Sequence, residues 1–595
     1  MPRFPQPRQG DLPVSVNLDS VFLGVDNRRD ADVSESLPSG GMMTVGINTR
    51  FPNGDMETRG GVCQPIQFNP AFESIQGAGI YSDPNGLEWV IVVEPTVVWL
   101  LNGNSSQLQI PLPAGVTITE RVELVQTFES MIMLRGKDKS VLEWDGNRFH
   151  AWQDVRLSAP NPDAPTFLEP PPNSEWAIVV ADRVFYPYGK DGLVWSDILD
   201  YTRTDPVLST ARFNFGEDDS MVAACPYQGN RIVVFKSQSI YFLNNVGGTM
   251  ADISIDRLPL RVGCVARKTV LEVGGDLFWL AQGGVYRMTQ TTQGVMRGNA
   301  LPVSDPISKD LERVNWSQAH KASACVNNDH YFLYLPMDGS EEPNAVAVFD
   351  LKTQSWQGLD YYGAVPDAAA PPPLAERHVG LFDPLNQNAP TMFLDPAPLQ
   401  PLQGRSMLVT DLFGRRTAFV VGANSMTAIG LGDVDRISGQ EKDIYTRGRS
   451  RGYMLGSLRT KDLRTVSVCV STRGASLSAS VETDGQNERL AIYSGKTRNR
   501  RKFNRHGKAD FSLDNSGGNF NAPYREDYTW LAGDGVILGS AGIPLGLFQD
   551  YDDAKPVRRV GRWFAVDVES AAGRIRLTGL QAEGLPEKSS LSSKS

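Results

Sequence analysis

From about residue 72 to about residue 432 the chain repeats one theme: a short apolar run, a turn, then a second alternating run. Trp89-Val90-Ile91-Val92-Val93 is followed by Val97-Val98-Trp99-Leu100-Leu101 and the turn Asn102-Gly103. Met131-Ile132-Met133-Leu134 precedes Val141-Leu142-Glu143-Trp144, and Trp176-Ala177-Ile178-Val179-Val180 precedes Arg183-Val184-Phe185-Tyr186. The theme returns at Arg231-Ile232-Val233-Val234-Phe235, Leu277-Phe278-Trp279-Leu280, His330-Tyr331-Phe332-Leu333-Tyr334-Leu335 and Thr417-Ala418-Phe419-Val420-Val421. These runs are rich in β-branched and aromatic residues and too short for helices, so they predict strands. Corresponding runs lie roughly 40 to 50 residues apart, the span of one four-stranded propeller blade. A blade cannot bury its two apolar faces alone. Stacking blades around an axis buries them and leaves few open edges. The pattern predicts an all-β fold, a β-propeller of about six to eight blades.

Two turns add a cue. Trp144-Asp145-Gly146-Asn147-Arg148-Phe149-His150-Ala151-Trp152 and Phe349-Asp350-Leu351-Lys352-Thr353-Gln354-Ser355-Trp356 each place an Asp at a turn that is followed by a Trp. The carboxylate can accept turn N–H groups while the indole covers the blade edge, as in kelch-type hairpins.

The flanks read differently. Residues 1–60 carry Pro2, Pro5, Pro7 and Pro13 and keep no period, which predicts an extended N-terminal arm packed on something else. The propeller is expected over 61–440, interrupted near 360–404 by a Pro-rich insertion around Pro371-Pro372-Pro373. Over 441–586 the alternation is cleaner, as in Thr465-Val466-Ser467-Val468-Cys469-Val470 and Trp563-Phe564-Ala565-Val566-Asp567-Val568. That suits a C-terminal β-sandwich-like domain. The Ser- and Lys-rich tail 587–595 is expected to be disordered.

Composition narrows the function. The 595 residues carry a formal net charge of -10, against which basic residues dominate the stretch from Glu441 to Asp510. The cysteines Cys63, Cys225, Cys264, Cys325 and Cys469 are odd in number, with none at CxxC spacing, which argues against a disulfide framework or a zinc site. No secretory leader is visible at Met1-Pro2-Arg3-Phe4-Pro5, and the run from Trp89 to Leu101 is broken by Glu94-Pro95, too short for a membrane span. The expectation is a soluble chain made in a cytoplasm.

Enzyme signatures fail one by one. Gly495-Lys496-Thr497 ends like a P-loop, but Leu490 stands where the motif needs its first glycine. Five scattered histidines form no i, i+4 pair. Asp433-Val434-Asp435 begins like a calcium loop, but Ile437 and Ile444 replace oxygen ligands. The acidic cluster Glu217-Asp218-Asp219 reads as a solvated loop between blades. No catalytic, metal or cofactor residue is assigned. The strongest charge feature is the basic run 496–508. Its Arg498, Arg500, Arg501, Lys502 and Arg505 are candidates for contact with an acidic neighbouring subunit or with DNA phosphates.

Several further stretches stand in a fixed order: Gly24-Val25-Asp26-Asn27-Arg28, Ile47-Asn48-Thr49-Arg50-Phe51, Glu57-Thr58-Arg59-Gly60-Gly61, Arg231–Phe242 as an apolar strand leading to an aromatic pair, Val262-Gly263-Cys264, and Arg558-Arg559-Val560-Gly561-Arg562-Trp563 with Gly573-Arg574-Ile575-Arg576-Leu577. In that order they resemble the podovirus packaged-DNA stabilisation and tail-nozzle proteins, related in plan to the second tail tubular protein of short-tailed phages. The resemblance implies a structural, non-enzymatic subunit of a virion tail. It implies a homohexameric ring below the portal and adaptor that retains the packaged genome and lets double-stranded DNA pass, with tail fibres or spikes as further partners. The net negative charge suits a conduit that repels the DNA backbone. An alternative is a glycan-binding or glycan-cleaving propeller on a phage tail or cell surface, for which Trp195 with Asp197 and Asp191 is the local candidate. A kelch-like intracellular scaffold would leave the N-terminal segment and the basic C-terminal third unexplained.

Overall fold

The computed structural model describes residues 14–586 apart from 29–40, 64–71, 103–106, 152–171, 214–217, 249–251, 291–295, 299–301, 366–400, 411–415, 455–460, 497–529, 532–536, 539–548 and a few single or paired turn positions. Seven antiparallel blades succeed one another along the described chain, the first six each a meander in sequence order. Blades 1 to 6 occupy 77–111, 123–151, 178–212, 221–257, 271–298 and 323–360. Blade 7 takes three strands from 406–429 and its fourth from Val62–Cys63, which pairs antiparallel with Met426–Ile429. The first strands of successive blades line the axis, and that of blade 7 adjoins that of blade 1, so the ring closes. The fold is an all-β, seven-bladed propeller.

The apolar runs are continuous because both faces of each blade are covered. In blade 1, Val90 and Val92 pack toward blade 7 with Phe419 and Val421, while Ile91 and Val93 pack toward blade 2 with Met131 and Met133. Blade 6 repeats the division. Phe332 and Tyr334 face blade 7, and Tyr331 and Leu333 face blade 5 at Phe278 and Leu280. Each such side chain contributes about 1.5–3 kcal/mol by leaving water. Both Asp turns form. Asp145 accepts the N–H groups of Asn147 and Arg148, both at 2.9 Å, and Asp350 accepts those of Lys352 and Thr353; Trp356 is buried after the second turn, and Trp152 after the first lies outside the described residues.

The second body is a pair of sheets. One is the outward continuation of blade 6: Ser355–Asp360 is followed by Met42–Ile47, Thr446–Ser450, Phe564–Ser570, Ser476–Thr483 and Gln486–Lys496. The other orders Thr49–Arg50, Met56–Thr58, Arg574–Pro586, Lys461–Arg473 and Gln549–Gly561, with Val14–Asp19 also on Arg574–Pro586. Val466, Val470, Val566, Val568, Ile575 and Leu577 share one core between the two sheets. Residues assigned by sequence to an N-terminal arm, 1–60, therefore supply strands to both sheets. The core of the Pro-rich insertion, the tail 587–595 and residues 1–13 lie outside the described residues.

Candidate functional site

Two polar constellations stand out: a buried seam between propeller and two-sheet domain, and a charged mouth on the propeller axis. The seam begins at Asn48, whose positive φ of 55° turns the chain between two short strands. Its side-chain oxygen accepts from Arg59 Nε and from the Tyr361 N–H, both at 2.9 Å, and its amide donates to the Tyr445 carbonyl at 2.6 Å. Arg59 is 1% exposed and forms a fork with Asp435, at 2.8 and 2.7 Å, while donating to the Gly60 and Tyr361 carbonyls. Asp435 also accepts from the N–H groups of Val62 and Gly363. Burial opposes the Arg59 charge, but Asp435 outweighs it and holds the guanidinium above its ordinary value. The Tyr362 ring covers the guanidinium at 4.7 Å.

Beside this pair, Arg50 grips Asp360 at the end of blade 6, at 2.9 and 2.5 Å. Arg574 reaches Asp433 at 2.9 Å and the Thr58 carbonyl at 3.0 Å. Arg447 and Asp567 pair within the two-sheet domain at 2.7 Å. Asn27 donates to Asp310 at 2.8 Å, in the link between blades 5 and 6. Gly358 has φ 106°, and a Cβ there would lie 2.3 Å from the Gly46 carbonyl oxygen, so only glycine lets the two strands approach.

The axial mouth collects the residues just before the first strands. In a four-stranded meander these entry points and the turns between second and third strands share one face. Arg121 and Glu123 come from blade 2, Arg267 and Lys268 from blade 5, Lys321 and Glu342 from blade 6, and Arg405 from blade 7. Arg267 pairs with Glu123, joining blades 5 and 2. Arg121 pairs with Glu342, joining blades 2 and 6, and Lys321 adds a contact to Glu342 at 3.2 Å. In a seven-membered ring these blades are as far apart as blades can be, so the pairs cross the axis. Arg405 donates to the Ile75 carbonyl and to the Gln76 side chain at the entry to blade 1.

The sequence candidates divide. Arg498, Arg500, Arg501, Lys502 and Arg505 lie outside the described residues. Trp195 is no platform for a sugar: it is 2% exposed in the core between blades 3 and 4. Asp191 is paired with the buried Lys236 at 3.2 Å, which removes it from the same glycan candidate. Asp219 is not a solvated loop residue but a buried cap. It accepts from Ser237 Oγ at 2.7 Å, the Gln238 N–H at 2.9 Å and Ser239 Oγ at 2.5 Å, fixing the hairpin of blade 4. Asp433 and Asp435 serve the seam. No disulfide joins the cysteines among the described residues, and burial pushes the Cys264 and Cys325 thiols up to about 12. Sequence reasoning missed the axial cations. Their signal is positional: Arg121, Lys268, Lys321 and Arg405 each precede a first strand by a few residues.

These features define a seven-bladed propeller protein with a two-sheet domain stitched to its rim. No known protein family and no curated protein sequence matches the chain. Among solved structures it is similar to streptogramin B lyase, at TM-score 0.35 and 10% identity over 62% of this chain and 96% of that one. It is also similar to the extracellular domain of a hybrid two-component system from B. thetaiotaomicron, at TM-score 0.36 and 12% identity over 68% of this chain and 43% of that one. A third is PorZ, a surface component of the type-IX secretion system of Porphyromonas gingivalis, at TM-score 0.30 and 11% identity over 69% and 44%. At these scores the likeness carries no argument about function. No helix among the described residues is long and apolar enough to cross a membrane.

Proposed function

We propose that this chain is a structural subunit of a short-tailed bacteriophage tail, a nozzle or hub ring below the portal and adaptor that retains the packaged genome and forms its exit channel. The observation that carries this reading is where its family-like stretches fall. Asn27, Asn48, Arg50, Arg59 and Arg574 are the residues that bind the N-terminal strands to the propeller and the two-sheet domain to both. Edge-poor blades locked to a second domain suit a wall that bears internal pressure. The role asks for no catalytic group. In this reading the DNA path runs between subunits arranged as a ring, because each propeller's own axis is crossed by Arg267–Glu123 and Arg121–Glu342.

The test is genetic. Phage particles assembled without this chain should package DNA and then lose it, so that capsid-associated DNA becomes sensitive to nuclease. Particles that lack the chain yet keep protected DNA and full infectivity overturn the reading.

A further inference from the structure

The axial mouth holds more positive charge than it neutralises. Arg121, Arg267, Lys268, Lys321 and Arg405 face only Glu123 and Glu342 as their paired carboxylates. Among the described residues, Lys268 and Arg405 have no carboxylate at ion-pairing distance. Arg405 is held by neutral oxygens of Ile75 and Gln76. Lys268 is exposed and follows Arg267, whose guanidinium is held by Glu123. Its ammonium is pulled below its ordinary value by burial, against the pull of Glu123, and Arg267 and Arg121 add to the depression. Arg405 is likewise lowered, by burial first and then by Arg121. Like charges gathered at one mouth disfavour one another unless an anion enters. The cross-axis pairs fix the Arg121 and Arg267 guanidiniums beside them, with the Arg267 fork taken up by Glu123.

We propose that this axial mouth is a binding site for a small, multiply charged oxyanion of the phosphate class, held by Lys268 and Arg405 with Arg121 and Arg267 at its margin. Forked guanidiniums and a mobile ammonium match several phosphate oxygens at once. A singly charged carboxylate would leave part of the excess charge unmatched. The site rests on the propeller alone and stands or falls separately from the tail reading.

Isothermal titration and thermal melts of the full chain test it. The probes are orthophosphate, tripolyphosphate and ATP, with sodium chloride at matched ionic strength and acetate as controls. Tripolyphosphate should bind saturably and raise Tm with the logarithm of its concentration, while chloride and acetate should not. ATP binding as tightly as tripolyphosphate would identify a nucleotide tail as ligand, and orthophosphate alone binding would identify the free ion. Lys268→Gln with Arg405→Gln should weaken binding about tenfold or more. Lys352→Gln, an exposed pair member on the opposite face, should leave it unchanged. Because Lys268 stands among like charges, Lys268→Gln should fold at least as well as the parent. It serves alone if the double variant does not fold. No saturable heat with any phosphate, a shift reproduced by chloride, or undiminished binding in Lys268→Gln overturns the site.

Discussion

Arg59 and Asp435, 376 residues apart in sequence, form a two-pronged ion pair with both side chains almost fully buried. The pair ties the turn before Val62–Cys63 to the chain leaving blade 7, so one contact secures both ring closure and the join to the two-sheet domain. A buried pair stabilises little relative to apolar residues of equal volume, but breaking it strands a charge. Arg59→Met should cost about 3–5 kcal/mol in urea melts, and Arg59→Met combined with Asp435→Leu should recover much of that loss. Equal loss in the single and double variants would show that packing, not charge, holds the seam.

Gly358→Ala tests the close approach of blade 6 to Met42–Ile47. The left-handed φ and the contact with the Gly46 carbonyl both penalise a Cβ. A loss of at least roughly 1–3 kcal/mol is expected in the same melts. An unchanged urea midpoint would place the strands further apart than described.

Asp310 gives a pH dependence. Burial pushes its carboxyl up to about 6, against the pull of Arg313 and the Asn27 amide. The folded protein holds this proton more tightly than the unfolded chain does. The contribution therefore favours folding below the ordinary value of 3.8 and is lost as pH rises through about 6. Asp310→Asn should flatten the change in Tm between about pH 4 and pH 7 and leave the variant at least as stable as the parent at pH 7. An unchanged slope would assign the dependence elsewhere.

The thiols offer a quick check on the ring. Cys264 and Cys325 are buried, and burial holds both as unreactive thiols. In the native protein a thiol reagent should label them only after unfolding. Rapid labelling of both would mean that the blades part readily.

A polysaccharide array should be blank. Trp195 is enclosed between blades and Asp191 is bound to Lys236, so the one sugar platform suggested by sequence does not form. Reproducible binding to a defined glycan would restore that alternative at another surface.

The blade strands were legible because stacking covers both faces, which turns each strand into an unbroken apolar run such as Val90-Ile91-Val92-Val93. The Asp145 and Asp350 turns were legible because their chemistry is local. What the sequence hid is non-local. Val62–Cys63 is a two-residue strand whose partner lies at the far end of the propeller, and no periodicity announces it. Asp435 read as half of a failed calcium loop because Arg59 was too distant to suggest a partner. The axial cations come from four separate blades, brought together only by ring closure.

The central claim is the chain's place in a tail. Antibody labelling of intact short-tailed particles, followed by cryo-electron microscopy of the labelled sample, tests it most directly. The account predicts label at the distal tail, a ring of propellers there, and DNA density between subunits and not through any propeller axis. Unlabelled tails, with the chain found free or on cell surfaces, would contradict it.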